Sequence, residues 1–254
     1  MLAAVKEGDA KELAELMRQD PGFTVNMAQN DSGWTLLHFA CGGDLRSSVI
    51  SLLLAHPDID VNAKDDRGCT PFYWACLYGY TSCVREMLKD SRVNLNEPHI
   101  YGYTPLLNAA GSGLLDIIKW WIASGREMVC EPGEIEETDA VAEAKRNGKT
   151  EVAILLERFK SDAAQTRHMI RMELNWYDKL AAEMFAVVVF VSDGLLQVND
   201  TTISTPAARS FRITTQLPLE LQMVLCFRQV GLDKEIIPGK DSEVAFKELA
   251  RKLW

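Results

Sequence analysis

Apolar residues in the first half of the chain fall into short clusters spaced three and four apart, separated by polar stretches that carry glycine. Val49-Leu52-Leu53, Cys83-Val84-Met87-Leu88 and Ile117-Ile118-Trp121-Ile122 each trace one stripe along a helix. A shorter apolar segment precedes each stripe. The pattern therefore predicts paired helices, short ones over 35–42, 70–77 and 104–111 and longer ones over 46–55, 81–89 and 114–123. Leu13, Leu16 and Met17 give an earlier stripe within 2–19, broken by Asp20-Pro21-Gly22.

The short helices begin alike. In Gly68-Cys69-Thr70-Pro71 the threonine is a good N-cap, the proline sits where its missing N–H costs nothing, and the glycine permits a tight turn. Gly33-Trp34-Thr35-Leu36-Leu37-His38 stands 35 residues earlier and Gly102-Tyr103-Thr104-Pro105-Leu106-Leu107-Asn108 stands 34 later. Val25-Asn26, Val61-Asn62 and Leu95-Asn96 repeat in step. A period of about 33 with a Thr-Pro-Leu-His core resembles the ankyrin repeat. The resemblance covers residues 1–160 as four to five units, the first lacking its own turn. The unit over 138–156 is degenerate, with Thr138 in register with Thr104, Glu136 where the turn glycine belongs, and Gly148 ending its inner helix. Leu36 stands in for the proline of the second unit, and Tyr73 and Asn108 for the histidine of the third and fourth.

Beyond residue 161 the repeat is lost. Trp176, Leu180, Met184, Val187, Val188, Val191 and Leu195 keep helical spacing, which predicts one long helix from Gln165 to Gln197. Thr205-Pro206, Leu217-Pro218 and Asp241 open further helices. The expected fold is all-α: an ankyrin-repeat solenoid with hairpin-like fingers over 1–160, then an α-helical C-terminal domain over 161–254. Leu217-Pro218-Leu219-Glu220-Leu221-Gln222-Met223-Val224-Leu225 resembles the opening of an F-box. That gives an alternative role, a substrate receptor of a cullin-type ubiquitin ligase; a Leu-Pro-x-Glu start is equally an ordinary capped helix.

Charge and cysteine usage narrow the classes. With 27 basic against 36 acidic residues the net charge is −9, and no basic run is present to neutralise phosphates, so nucleic acid is not an expected partner. The longest apolar run, Phe185–Val191, is far shorter than the ~20 residues of a membrane span, and Met1–Glu7 has no signal-peptide character. A location in the cytoplasm, with the nucleus as the alternative, is expected. The six cysteines form no C-x-x-C pair, and Cys41 and Cys76 fall where ankyrin repeats place a small core residue, so they read as small hydrophobes and not as metal ligands.

No phosphate loop, nucleophile elbow or H-E-x-x-H occurs, and Asp65-Asp66 reads as an exposed turn pair with no pocket to perturb it. No enzyme, cofactor or metal is expected. In the ankyrin pattern His38 is structural, bonding backbone between adjacent turns. The resemblance implies recognition of another protein on the concave face made by finger tips and inner helices. The positions carried over are Asp31, Ser32 and Trp34; Asp66, Arg67, Leu77 and Tyr78; and Ile100, Tyr101 and Tyr103. The four rings among them fall where no core packing is expected, and such residues anchor interfaces.

Overall fold

The computed structural model describes residues 1–20, 22–43, 46–130, 139–192, 222–223, 225–226 and 239–253. Described residues fall in helices, turns and loops, in two compact units, Met1–His168 and Met169–Trp254.

The first unit is a row of helix pairs. Its helices are α1 (Leu2–Glu7), α2 (Ala10–Gln19), α3 (Leu36–Cys41), α4 (Ser47–Leu54), α5 (Pro71–Tyr78), α6 (Thr81–Lys89), α7 (Pro105–Ser112), α8 (Leu115–Ser124), α9 (Ala140–Arg146) and α10 (Thr150–Ser161). The odd-numbered helices stack on one another in order and so do the even-numbered ones, giving an inner and an outer row. Caps set their starts. Thr70 and Thr104 accept the Tyr73 and Leu107 amides from the first turns of α5 and α7, each with proline at the first helical position. Leu36, Leu37, Ile50, Leu53, Phe72, Met87, Leu106, Ile117, Ile118 and Trp121 are fully buried between the rows. A single pair could not bury this much apolar surface on itself, so stacking is the source of stability.

Two periodic polar devices fasten neighbouring units. Each asparagine of the apolar-Asn step reaches the turn of the next unit. Asn26 donates to Asp58 O (2.7 Å) and accepts from Asp60 N (2.8 Å); Asn62 does the same with Arg92 O and Asn94 N; Asn96 does so with Glu127 O and Val129 N. The second device varies. His38 Nδ1 accepts the Thr35 amide at 3.2 Å, which leaves the ring proton on Nε2, donated to Cys69 O at 3.1 Å. In the next unit Tyr73 takes the histidine's place, and its hydroxyl accepts from Asn108 Nδ2 at 2.9 Å, so the two departures from the repeat pattern are partners of each other.

Burial lowers the His38 pKa below its ordinary 6.5, outweighing the bond to Cys69 O, which favours the charged ring. A depressed folded pKa means that the unfolded chain takes up the proton first. The stability His38 contributes is therefore complete above pH 6.5 and falls as pH drops below it. Melting temperature is expected to fall between pH 7.5 and 5.5, with a smaller fall in His38→Gln.

Asp139 caps α9 through the Val141 amide. Thr138, in register with Thr104, and Glu136, which stands where the turn glycine belongs, lie outside the described residues. Gly148 closes this pair with φ +67°. The first turns of α11 (Ala163–Glu173) are tied back to the stack, Thr166 Oγ1 donating to Arg158 O and Arg167 Nε to Ile122 O, so residues as far as 168 belong with the repeats.

In the second unit α12 (Trp176–Ser192) packs on α13 (Gly239–Leu253). Ala181, Ala182, Phe185, Ala186, Val188, Cys226 and Ala245 form its core, with Phe185 meeting Phe246 edge to face at 5.9 Å. The single helix expected from Gln165 is two helices. The break is at Asn175, whose φ of +50° makes it the one described non-glycine residue in the left-handed region, a conformation asparagine tolerates better than most residues. Of the F-box-like segment only Gln222, Met223 and Leu225 are described. Among the described residues no helix is long and apolar enough to cross a membrane, and no group of histidine, cysteine and carboxylate side chains is arranged to hold a metal.

Candidate recognition face

Three fingers lead into α3, α5 and α7, and one register position builds all three. Asn30 Oδ1 accepts the amides of Ser32 and Trp34 (3.2 and 2.9 Å). Asp65 Oδ1 accepts those of Arg67 and Cys69 (2.9 and 2.8 Å). His99 Nδ1 accepts those of Tyr101 and Tyr103 (both 3.2 Å). A side-chain acceptor thus serves the amides two and four residues on, and a backbone bond closes each finger, from Gln29 to Trp34, Asp65 to Cys69 and His99 to Tyr103. Gly33, Gly68 and Gly102 turn the chain at φ +71° to +80°. Adjacent fingers are joined through Asp66 N to Ser32 O and Ile100 N to Arg67 O, and by the Lys64–Glu97 ion pair at 2.5 Å.

Asp65 does more than turn its finger. Its Oδ2 accepts the indole N–H of both Trp34 (3.2 Å) and Trp74 (2.8 Å), and the residue is buried. The expectation of an exposed carboxylate turn holds for Asp66 and fails for Asp65, because four donors converge on it and replace its water.

From this clamp a continuous run of rings extends along the fingers and inner helices. Trp34 lies 5.1 Å from both Phe39 and Trp74; Trp74 stacks on Tyr78 (5.3 Å, 18°) and meets Tyr73 edge-on; Tyr73 stacks on His99 (5.3 Å), which in turn contacts Tyr101 and Tyr103 edge-on at 5.4 Å. Gly42 favours this closeness, since a Cβ there would lie 3.1 Å from the Trp34 ring and 3.2 Å from His38 O, and a neighbour would have to give by a few tenths of an ångström.

Asp31, Ser32, Asp66 and Arg67 are exposed at the tips of the first two fingers. Ile100 and Tyr101 are the most open apolar groups of the set, at 61% and 69%, with Tyr78 at 51% and Tyr103 at 39%. Leu77 is half-buried against Cys69, Tyr73 and Trp74. Trp34 departs from expectation. Its ring packs into the same cluster and its N–H is bonded, so it is part of the support beneath the surface and not a free anchor. Tyr73, Trp74, Asp65 and His99 lie outside the recognition positions that the resemblance implies, although Asn30, Asp65 and His99 recur in the sequence at intervals of 35 and 34.

Burial pushes the Tyr73 hydroxyl and the Cys69 thiol up to about 12 each, which keeps both neutral. Cys41 and Cys76 are raised by burial as well, and all six cysteines are buried and outside any disulfide.

A family model described as ankyrin repeats (3 copies) matches residues 1–99 and 43–132. The chain belongs to the ankyrin-repeat family. The chain is 40% identical over 102 residues to SMC5-SMC6 complex localization factor protein 1 of Bos taurus, a stretch that is 40% of this chain and 10% of that protein. Similarity extends to transient receptor potential cation channel subfamily A member 1 of Homo sapiens, 30% identical over 114 residues (44% of this chain, 10% of the channel), and to Rabankyrin-5 of Mus musculus, 37% over 68 residues (27% and 6%). The chain spans about a tenth of the length of the first relatives. Ankyrin repeats are protein-binding modules and a non-enzymatic kind of protein, and this chain carries them.

Proposed function

We propose that the chain is an adaptor that binds a partner protein on the concave ankyrin face, with Ile100, Tyr101, Tyr103 and Tyr78 as the apolar anchor and Asp31, Ser32, Asp66 and Arg67 as a polar rim. One observation carries this reading: open aromatic side chains stand on a ring stack whose indoles are bonded to Asp65, on a finger whose amides are bonded to His99. A partner buries tyrosine area there without first having to order it, and low ordering cost is what separates a productive patch from mere apolar exposure. The role named for SMC5-SMC6 complex localization factor protein 1 supports an adaptor that brings a protein assembly to its place, and we extend that kind of role to this chain.

We take the repeats, expected over 1–160 and extended as far as 168 by the bonds of Thr166 and Arg167, as the recognition domain and the remainder as a helical domain, and place the protein in the cytoplasm or nucleus, where reduced thiols persist. A ubiquitin-ligase receptor is the competing reading and rests on residues 217–225 alone.

The test is affinity capture with the full chain and with Tyr101→Ala and Tyr103→Ala, followed by calorimetry on the purified partner. Each substitution is expected to cost roughly 2 kcal/mol of binding if the ring is a hot spot. Tyr101→Ala is expected to leave the melting temperature nearly unchanged, since its ring fills no core. Binding that survives both substitutions moves the site elsewhere. Recovery of cullin-complex subunits, lost on changing Leu217 and Leu221, favours the ligase reading.

A further inference from the structure

We infer that His99 is the positioning residue of the aromatic surface, and that the third finger holds its shape only while this imidazole is neutral. The inference deepens the recognition reading given above by adding a means of regulating the same site.

The observation is the register shared by the three fingers. At this position the first finger uses an amide oxygen and the second a carboxylate oxygen, and both atoms only accept. The third uses an imidazole nitrogen for the same two bonds, to the amides of Tyr101 and Tyr103. Backbone amides only donate, so Nδ1 must be bare and the proton of the neutral ring sits on Nε2. Protonation places an N–H on Nδ1, pointing at two other N–H groups. The fold then loses the acceptor for both amides at once, and those amides belong to the two tyrosines that the face presents.

The groups around the ring do not cancel this effect. On α5 it is covered by Tyr73, whose hydroxyl stays neutral across the physiological range. Its own finger contributes Tyr101, Tyr103 and Glu97, the last paired with Lys64. From the preceding finger, Arg67 meets Ile100 through its backbone carbonyl, Asp66 is bonded through its amide to Ser32, and the Asp65 carboxylate is occupied by its four donors. At the start of α7 the polar side chains Thr104 and Asn108, the latter bonded to the Tyr73 hydroxyl that covers the ring, do not titrate. The Tyr73 ring face attracts a charged imidazole weakly, but one such contact does not offset two donors left facing a third. Histidine as a residue type ordinarily changes charge between pH 5 and 8, which is the range the test covers.

The test uses the full ¹⁵N-labelled chain between pH 8 and 5. Long-range ¹H–¹⁵N spectra of the imidazole are expected to show the Nε2–H tautomer at neutral pH. As the ring titrates, the Tyr101 and Tyr103 amide resonances are expected to move with its midpoint. Their hydrogen exchange, corrected for its intrinsic pH dependence, is expected to rise about tenfold, the equivalent of one net hydrogen bond. The amides of Ser32 and Trp34, held by Asn30, do not follow. His99→Asn copies the first finger; it should keep the two bonds and abolish the pH response, a rescue that a purely space-filling role does not predict. An Nδ1–H tautomer at neutral pH, a ring that stays neutral down to pH 5, or amides that remain fixed while the ring titrates overturns the inference. The readout needs no partner. If the amides follow the ring while partner binding ignores Tyr101 and Tyr103, the switch stands and the recognition reading falls.

Discussion

Replacing Trp121 by alanine is expected to destabilise the first unit by about 3–5 kcal/mol, the cost of truncating a large buried aromatic ring. Trp121 is fully buried and meets Phe72 of α5 edge to face at 5.3 Å, while its indole N–H donates to Glu127 O at 3.2 Å. It therefore joins the outer helix of one repeat to the inner helix of the one before. In a stacked array each unit is held mainly by its neighbours, so a lesion at a central interface weakens the coupling between the two flanks as well as the site itself. Chemical denaturation should show an earlier midpoint and, beyond that, a broadened or split transition. Trp121→Phe keeps most of the ring contact and should lose less than half as much. A loss under about 1 kcal/mol for alanine would mean that the outer row is not packed on α5 through this residue.

Most of the repeat architecture could be read from the residues, because the features that define an ankyrin unit are local. Thr70-Pro71 and Thr104-Pro105 fix helix starts, Gly68 and Gly102 fix turns, and a three-four stripe fixes which face is buried. The helices accordingly begin and end within a residue or so of where the pattern put them. What could not be read is how side chains of different repeats meet. Tyr73 and Asn108 looked like two independent departures from a histidine, and only their juxtaposition across 35 residues shows that they satisfy each other. Asn26, Asn62 and Asn96 were visible as a step in the repeat, but their bonds to the following turn depend on the stacking offset. In the C-terminal part no repeat supplies a register, so the periodic run through Trp176 gave a helix without revealing the left-handed break at Asn175.

The candidate site shows the same division. Exposure at Ile100, Tyr101 and Tyr103 follows from their place on a finger. The burial of Trp34 does not, since it depends on a tryptophan forty residues away and on the carboxylate between them. That carboxylate is the point at which fold and face are most tightly coupled.

Asp65→Ala is expected to cost about 3–5 kcal/mol of stability, because it strands donors that water cannot easily reach. The indole of Trp74 and the amide of Cys69 are both buried, and each loses its acceptor at 2.8 Å. An orphaned buried donor costs about 1–3 kcal/mol; the Trp34 indole and the more open Arg67 amide add less. Asparagine separates the two jobs of this side chain. Its oxygen can still take the amides of Arg67 and Cys69, as Asn30 does for its own finger, but its NH₂ group then faces two indole N–H donors where the carboxylate offered an acceptor. Asp65→Asn should therefore keep the turn, lose roughly half of what alanine loses, and free the Trp34 and Trp74 rings to reorient. Tryptophan fluorescence and the two indole N–H resonances report that release directly. If the surface tyrosines depend on the stack beneath them, partner binding weakens in Asp65→Asn although no contacting residue has changed. If binding is intact while the indole signals shift, Tyr101 and Tyr103 are positioned by their own finger alone, and the clamp serves the fold and not the face.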